Sequence, residues 1–186
     1  MTLPVRFGVT APLTIESRRD LVEHVRFAES AGFSVATFPD HFFLPMAPLV
    51  AMTAVAEMTS SLKVGTLLLA ASFRHPILLA KELATMDLIS EGRVEAGLGA
   101  GWVESEHIAA GLAFGTPPDR LDRLIEVAQI VKGAWSSERL SFAGRHFQLS
   151  DVPCLPRPYR DGGPPLLIGG GMRQILSAAA RVADIV

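Results

Sequence analysis

The chain has 186 residues, 49% of them hydrophobic and 19% charged, with 17 Lys and Arg against 19 Asp and Glu and a net charge of −2. That composition supplies a hydrophobic core, and the lack of a basic surplus argues against nucleic acid or an anionic membrane as partner. A single cysteine, Cys154, excludes an internal disulfide and a cysteine-cluster metal site; with no secretory apolar stretch at the start and no run near the ~18 residues of a membrane span, the cytoplasm is the expected compartment.

Residues 5–9 form a short first strand. Ser17 and Asp20 stand three apart, as in a capping box, and open a helix whose Leu21, Val25 and Ala28 share a face before Ala31-Gly32 ends it. Residues 34–38 are a second strand, closing on Pro39-Asp40-His41, and 46–60 a second helix with Pro48 near its start. Residues 64–71 are almost wholly apolar, as a strand buried on both faces would be. Phe73-Arg74-His75 turns the chain, and Pro76 suits the first position of a helix. Leu79, Leu83 and Met86 recur at helical spacing, and Gly92 can take a left-handed cap. Residues 93–98 return as a strand and open into Gly99-Ala100-Gly101.

Residues 102–110 form a short helix or ordered loop. Thr116-Pro117 begins an amphipathic helix with Leu121, Leu124, Ala128, Val131 and Trp135 on one face. Residues 139–149 make a hairpin about Ala143-Gly144-Arg145, and 152–165, rich in Pro and Gly, a loop. A strand at 166–168 leads through Gly169-Gly170-Gly171 into a helix over 172–183, and Asp184 begins another strand.

Strands alternating with helices predict an α/β fold with a parallel sheet and right-handed crossovers. A dinucleotide sheet would want G-x-G-x-x-G after the first strand, and residues 8–12 offer only Gly8. Polar and glycine groups instead follow several strands, the pattern of a (β/α)8 TIM barrel whose site lies at the C-terminal ends of its strands. Such a barrel takes roughly 250 residues. The expectation is therefore one barrel domain over 1–186, truncated after about five βα units, with an insertion at about 136–164.

Asp40-His41 is the leading candidate site. A histidine at a strand end can donate a proton or steady a developing anion near neutral pH, and the neighbouring carboxylate can bind a ligand or hold the loop. The glycines at 169–171 precede a helix whose first N–H groups are free, which suits a phosphate. Gly99 to Gly101 suit either a plain turn or the close approach of a planar ring. Glu104, Glu106 and His107 invite a metal reading; Glu104 and His107 would share a helical face, whereas Glu106 and His107 would not, and two ligands are too few for a metal, so a solvated helix start and no metal are expected. Arg74-His75 either reach a phosphate or cap the next helix. His24 is expected at the surface, His146 carries no signal, and Cys154 has no base near it.

These residues resemble the luciferase-like monooxygenase superfamily, and within it the enzymes that use the deazaflavin coenzyme F420. The similarity is carried by Phe38-Pro39-Asp40-His41, Val64-Gly65-Thr66-Leu67-Leu68-Leu69, Phe73-Arg74-His75-Pro76, Ala84-Thr85-Met86-Asp87, Ser90-Glu91-Gly92-Arg93, Leu98-Gly99-Ala100-Gly101-Trp102 and Ile168-Gly169-Gly170-Gly171. The resemblance implies a (β/α)8 barrel with an insertion after the fourth helix and a bulge with a non-proline cis peptide aligned with Leu67-Leu68. It implies that Asp40 contacts the deazaflavin, that His41 lies at its reactive face, that Leu67, Leu68, Ala70, Ala100 and Gly101 line the ring pocket, and that Gly170, Gly171, Met172 and Arg173 hold the phosphate-bearing tail. Trp102, on the substrate side, stands where the family's sugar-phosphate dehydrogenases carry a catalytic glutamate. The expected activity is hydride transfer between F420 and a small organic substrate, with His41 as proton donor and a homodimer as the assembly. An FMN-dependent monooxygenase and a non-catalytic flavin-binding partial barrel are the alternatives.

Overall fold

A computed structural model of the chain describes residues 5–11, 14–15, 17–170 and 173–185. Its elements are β1 (Gly8–Thr10), α1 (Arg18–Ser30), β2 (Val35–Phe38), α2 (Pro48–Met58), β3 (Lys63–Thr66), β4 (Leu69–Ala70), α3 (Pro76–Ile89), β5 (Val94–Gly99), α4 (Glu104–Ala109), α5 (Pro117–Ser136), β6 (Arg139–Ala143), β7 (Gln148–Pro153), β8 (Leu166–Ile168) and α6 (Arg173–Val182). Ser17 caps α1 by accepting the Asp20 N–H, and Thr116 and Asp119 form a full capping box at α5.

Strand order settles sheet against barrel. β1 pairs with β2, β2 with β3, β3 and β4 with β5, and β5 with β8, all parallel. With β3 and β4 taken as two halves of one wall position, each strand lies beside the one before it in the main sheet, with no reversal of direction of the kind that defines a doubly wound sheet. A bridge from Leu167 to Ile185 starts the next strand in the same sense. The result is a run of barrel wall with helices on its outer side. Alternate strand residues such as Ala36, Val64 and Ala96 are buried against Val25, Met52, Leu83, Leu124 and Val127 from the helices; each buried Leu or Val contributes about 1.5–3 kcal/mol. Among the described residues no helix is long and apolar enough to cross a membrane.

The expected single strand over 64–71 is two strands. Gly65 faces Glu95 and Leu69 faces Leu98, four steps on one side against three on the other, so one residue is extra. The peptide between Leu67 and Leu68 is cis, and Thr66 spans the break by donating to the Gly97 carbonyl and accepting the Gly97 N–H. A Cβ at Gly97 would collide with the Thr66 carbonyl oxygen, so the strands approach this closely only with glycine there.

Other boundaries shift for local reasons. The first strand starts at Gly8, and β7 continues to Pro153, into the expected loop. α3 ends at Ile89, where both Glu91 and Gly92 adopt positive φ and the Gly92 N–H returns to the Asp87 carbonyl. Arg93 donates to the carbonyls of Ala56, Leu62 and Ser90, tying the end of α2 to the entry of β5. The hairpin β6–β7 forms its own two-stranded sheet off the barrel wall. Glu126 of α5 holds it by accepting the N–H groups of Arg145, His146 and Phe147, and Arg160 anchors the following loop on the fully buried Asp87. His24 is half-buried rather than at the surface, and burial lowers its pKa.

Candidate active site

The C-terminal ends of β2, β4, β5 and β8 surround a cavity of about 420 Å³. Its lining includes Asp40, His41, Leu67, Leu68, Ala70, Ala100, Gly101, Trp102 and Gly170, all expected at the site from the sequence. At the bulge Leu67 is 47% exposed and borders the cavity. Leu68 packs over Gly99 and Gly169, where an added Cβ would lie 3.2 and 2.6 Å from its methyl carbons. Gly99 and Gly169 are thus small because Leu68 lies against them.

Asp40 is 6% exposed and fully engaged. Oδ2 accepts from Arg74 Nη1 at 2.6 Å and from the Ala70 N–H at 3.1 Å, and Oδ1 accepts from Arg74 Nη2 at 3.1 Å. Arg74 thus clamps the end of β2 to the exit of the bulge. His75 makes no capping bond and packs edge-on against Phe147.

His41 stacks on Phe43 with ring centroids 4.8 Å apart and meets Trp102 edge-on at 5.9 Å. Its Nδ1 lies 2.8 Å from Glu106 Oε2, and Glu106 Oε1 accepts the Phe42 N–H at 2.7 Å. Burial pushes the Glu106 carboxyl up, but its bonds from His41 and from the Phe42 and Phe43 N–H groups outweigh this and hold it below the usual carboxylate range.

The solvated start expected for the helix at 104–109 holds for Glu104, which is exposed, and fails for Glu106 and His107. α4 buries Glu106 and His107 and leaves Ile108 71% exposed, the inverse of an ordinary amphipathic helix. His107 Nε2 is 2.7 Å from Ser72 Oγ and its Nδ1 2.8 Å from the Val103 carbonyl, with Phe73 and Phe114 against its ring. Gly101, at φ +77°, runs so close that a Cβ would sit 3.3 Å from His107 Cε1. Sequence reasoning missed Glu106, His107 and Ser72 as site residues; the adjacent Glu106-His107 beside an exposed isoleucine, between Gly101 and Gly111, was the available signal. No group of three potential metal ligands occurs among the described residues.

Arg173 lies apart from this cavity, in a groove of about 510 Å³ between α5 and α6 that includes Leu121, itself also part of the cavity lining. Gly171 and Met172 lie outside the described residues. Cys154 is buried and its thiol pKa is raised by that burial, consistent with an inert thiol.

A parallel barrel wall with a largely apolar cavity at its strand ends, entered by a histidine–carboxylate pair, is the place where TIM-barrel folds put their functional sites. The chain belongs to the luciferase-like monooxygenase family, which it matches over residues 1–186. It is 34% identical over 175 residues to an F420-dependent glucose-6-phosphate dehydrogenase of Amycolatopsis mediterranei, covering 89% of this chain and 52% of that one. It is 33% identical over 196 residues to an F420-dependent hydroxymycolic acid dehydrogenase of Mycobacterium tuberculosis, covering 97% and 52%. Among solved structures, an F420-dependent secondary alcohol dehydrogenase in complex with an F420-acetone adduct superposes with a TM-score of 0.87 at 24% identity, over 98% of this chain and 57% of that one. The chain spans about half the length of the curated relatives it matches.

Proposed function

We propose that this chain builds the coenzyme face of an F420-dependent oxidoreductase acting on a small organic substrate. The observation that carries the reading is the cavity wall. Ala70, Gly99 and Ala100 present no large side chain, and Leu67 and Trp102 leave apolar surface uncovered beside them. Such a wall fits a flat heteroaromatic ring, and the likeness to relatives named as F420-dependent favours a deazaflavin as that ring. When bound, F420 would supply hydride transfer. The chain's own residues would do the rest. Leu67, Leu68, Ala70, Ala100 and Gly101 hold the ring, and Asp40, through Arg74 and the Ala70 N–H, fixes the backbone they stand on. Gly170 would face the phosphate-bearing tail, and Arg173, in the neighbouring groove that shares Leu121 with the cavity, would meet its far end; Gly171 and Met172, outside the described residues, are assigned to the tail by the resemblance alone. Trp102 covers the substrate side, and His41 moves a proton there. Two copies pair through the outer faces of α2 and α3, where Val50, Leu78 and Ile89 are exposed.

The test is a pair of equilibrium titrations, with F420 and with FMN, followed by ring fluorescence. The expected result is micromolar or tighter F420 binding and weaker FMN binding, with Ala100→Leu weakening F420 by about tenfold or more because the ring wall is overfilled. Preference for FMN would move the chain to the flavin-dependent monooxygenases. Binding of neither would sink the coenzyme reading.

A further inference from the structure

We infer that Glu106 is a positioning residue that fixes His41 as its Nδ1–H tautomer, so that Nε2 is the atom through which His41 exchanges protons with the cavity. The geometry stands whatever the function; its catalytic use rests on the function proposed above. His41 Nδ1 is 2.8 Å from Glu106 Oε2. A carboxylate only accepts, so Nδ1 must carry the hydrogen. Protonating the carboxyl instead would reverse the bond, but Glu106 already accepts the Phe42 N–H through Oε1, and a buried acid that receives several donors stays ionised.

The surroundings leave Nε2 free for exchange. His41 faces Phe43 on one side and the edge of Trp102 on the other, neither of which titrates near neutrality. Asp40, next in the chain, is held by Arg74 and the Ala70 N–H. His107, the next residue after Glu106, is held between Ser72 and the Val103 carbonyl. Glu106 is thus the charged side chain hydrogen-bonded to the His41 ring, and among the described residues Nε2 has no hydrogen-bond partner. When the imidazolium gives up its proton, the Nε2–H bond breaks and an O–H or N–H bond forms on the acceptor. The ring is left neutral with Nδ1–H still on Glu106, and the reverse transfer runs through the same atom. An oriented tautomer of this kind is what a carboxylate contributes to a histidine acid–base. The carboxylate comes from α4, four residues beyond Trp102.

The experiment is long-range proton–nitrogen correlation NMR of the uniformly ¹⁵N-labelled protein without coenzyme, at about pH 8, where a free imidazole is neutral. Peaks are assigned with His41→Asn. The expected wild-type spectrum shows a protonated Nδ1 and a bare Nε2 for His41. Glu106→Gln and Glu106→Ala, each checked for fold by circular dichroism, should move the ring toward the Nε2–H form that free imidazole favours. In the F420 assay with any accepted substrate, Glu106→Gln should lower kcat roughly 10- to 100-fold, within what positioned proton transfer supplies, and leave the F420 dissociation constant within about twofold. A wild-type ring already protonated at Nε2, or a ring unmoved in both folded variants, overturns the assignment. Failure of the wild type to bind F420 sinks the coenzyme reading instead, and leaves the tautomer result standing.

Discussion

At the scale of single residues, Asp40 and His41 are neighbours with different duties. Asp40 is an anchor. Its two oxygens accept three hydrogen bonds, two of them from Arg74, which is itself mostly buried. Removing one partner of such a pair leaves the other charge uncompensated, at a cost of about 3–5 kcal/mol in a dry setting; partial exposure of Arg74 puts the expectation for Asp40→Ala near ~3 kcal/mol. Loss of F420 binding in that variant would therefore report on the backbone from Leu67 to Ala70 as much as on the ring. A double-mutant cycle with Arg74→Met, followed by urea unfolding, separates the two. A coupling of about 2 kcal/mol or more marks the clamp, and additive effects would mean that Asp40 acts on the ligand directly. The sequence showed that Asp40 sits at a strand end. It could not show that the arginine 34 residues later consumes both oxygens, because spacing along a chain says nothing of pairing across strands.

At the scale of elements, periodicity carried the helices and most strands, since apolar stripes repeat along α1, α3 and α5 wherever one face is buried. It failed at two places, and both are at the site. The break between β3 and β4 lies inside an unbroken apolar run from Leu67 to Ala71, so no change in polarity marks the extra residue; only resemblance to the family pointed to Leu67-Leu68. α4 failed in the opposite sense, because it buries its polar residues and shows its isoleucine. The turn between α2 and β3 illustrates an element held by one charge. Glu29 of α1 accepts the N–H groups of Ser60, Ser61 and Leu62 at 2.8, 2.7 and 3.0 Å. The Ser61 N–H most, with those of Leu62 and Ser60, lowers the Glu29 pKa to about 2, against desolvation. A carboxyl whose pKa is lower in the folded state contributes stability above its unfolded value of 4.5, and that contribution fades as pH falls toward 2. Glu29→Gln should cost about 1–2 kcal/mol at neutral pH, the value of hydrogen bonds to a charged group reduced for solvent exposure. Urea midpoints of wild type and variant should converge as pH drops through that window. Parallel curves from pH 7 to 3 would show that the carboxylate charge is not what holds the turn.

At the scale of the whole molecule, the question is which apolar surface is left to be covered. A helix that is apolar on all sides is ordinarily covered on all sides. α2 and α3 already bury Met52, Val55, Leu79 and Leu83 against the sheet, yet Val50, Leu78, Leu88 and Ile89 are exposed on the side away from it. Between the two helices runs a groove of about 380 Å³ that includes Leu49, Val50, Leu78 and Ile89 with Lys81 and Glu82. Burial raises the pKa of the Glu82 carboxyl, and its buried Oε2 has no hydrogen-bond partner. A two-fold axis through this groove would meet both needs, because a self-complementary interface covers the apolar residues of both copies and brings Lys81 of one near Glu82 of the other. The rival route to self-association is through strand edges. Among the described residues β1 pairs with β2 alone, and the bridge at Ile185 is the last contact of the sheet on the other side; unpaired edges recruit further strands. The two routes respond differently to one change. Lysine at Leu78 and Ile89 puts four like charges into a two-fold helix interface and touches no strand. Light scattering on the eluting protein should therefore show a dimer for the wild type and a monomer for Leu78→Lys/Ile89→Lys, with the F420 dissociation constant unchanged, since neither residue borders the cavity at the strand ends. A variant that stays dimeric would move the association to the sheet edges, and a monomeric wild type would leave the exposed face of α2 and α3 without a second copy to cover it.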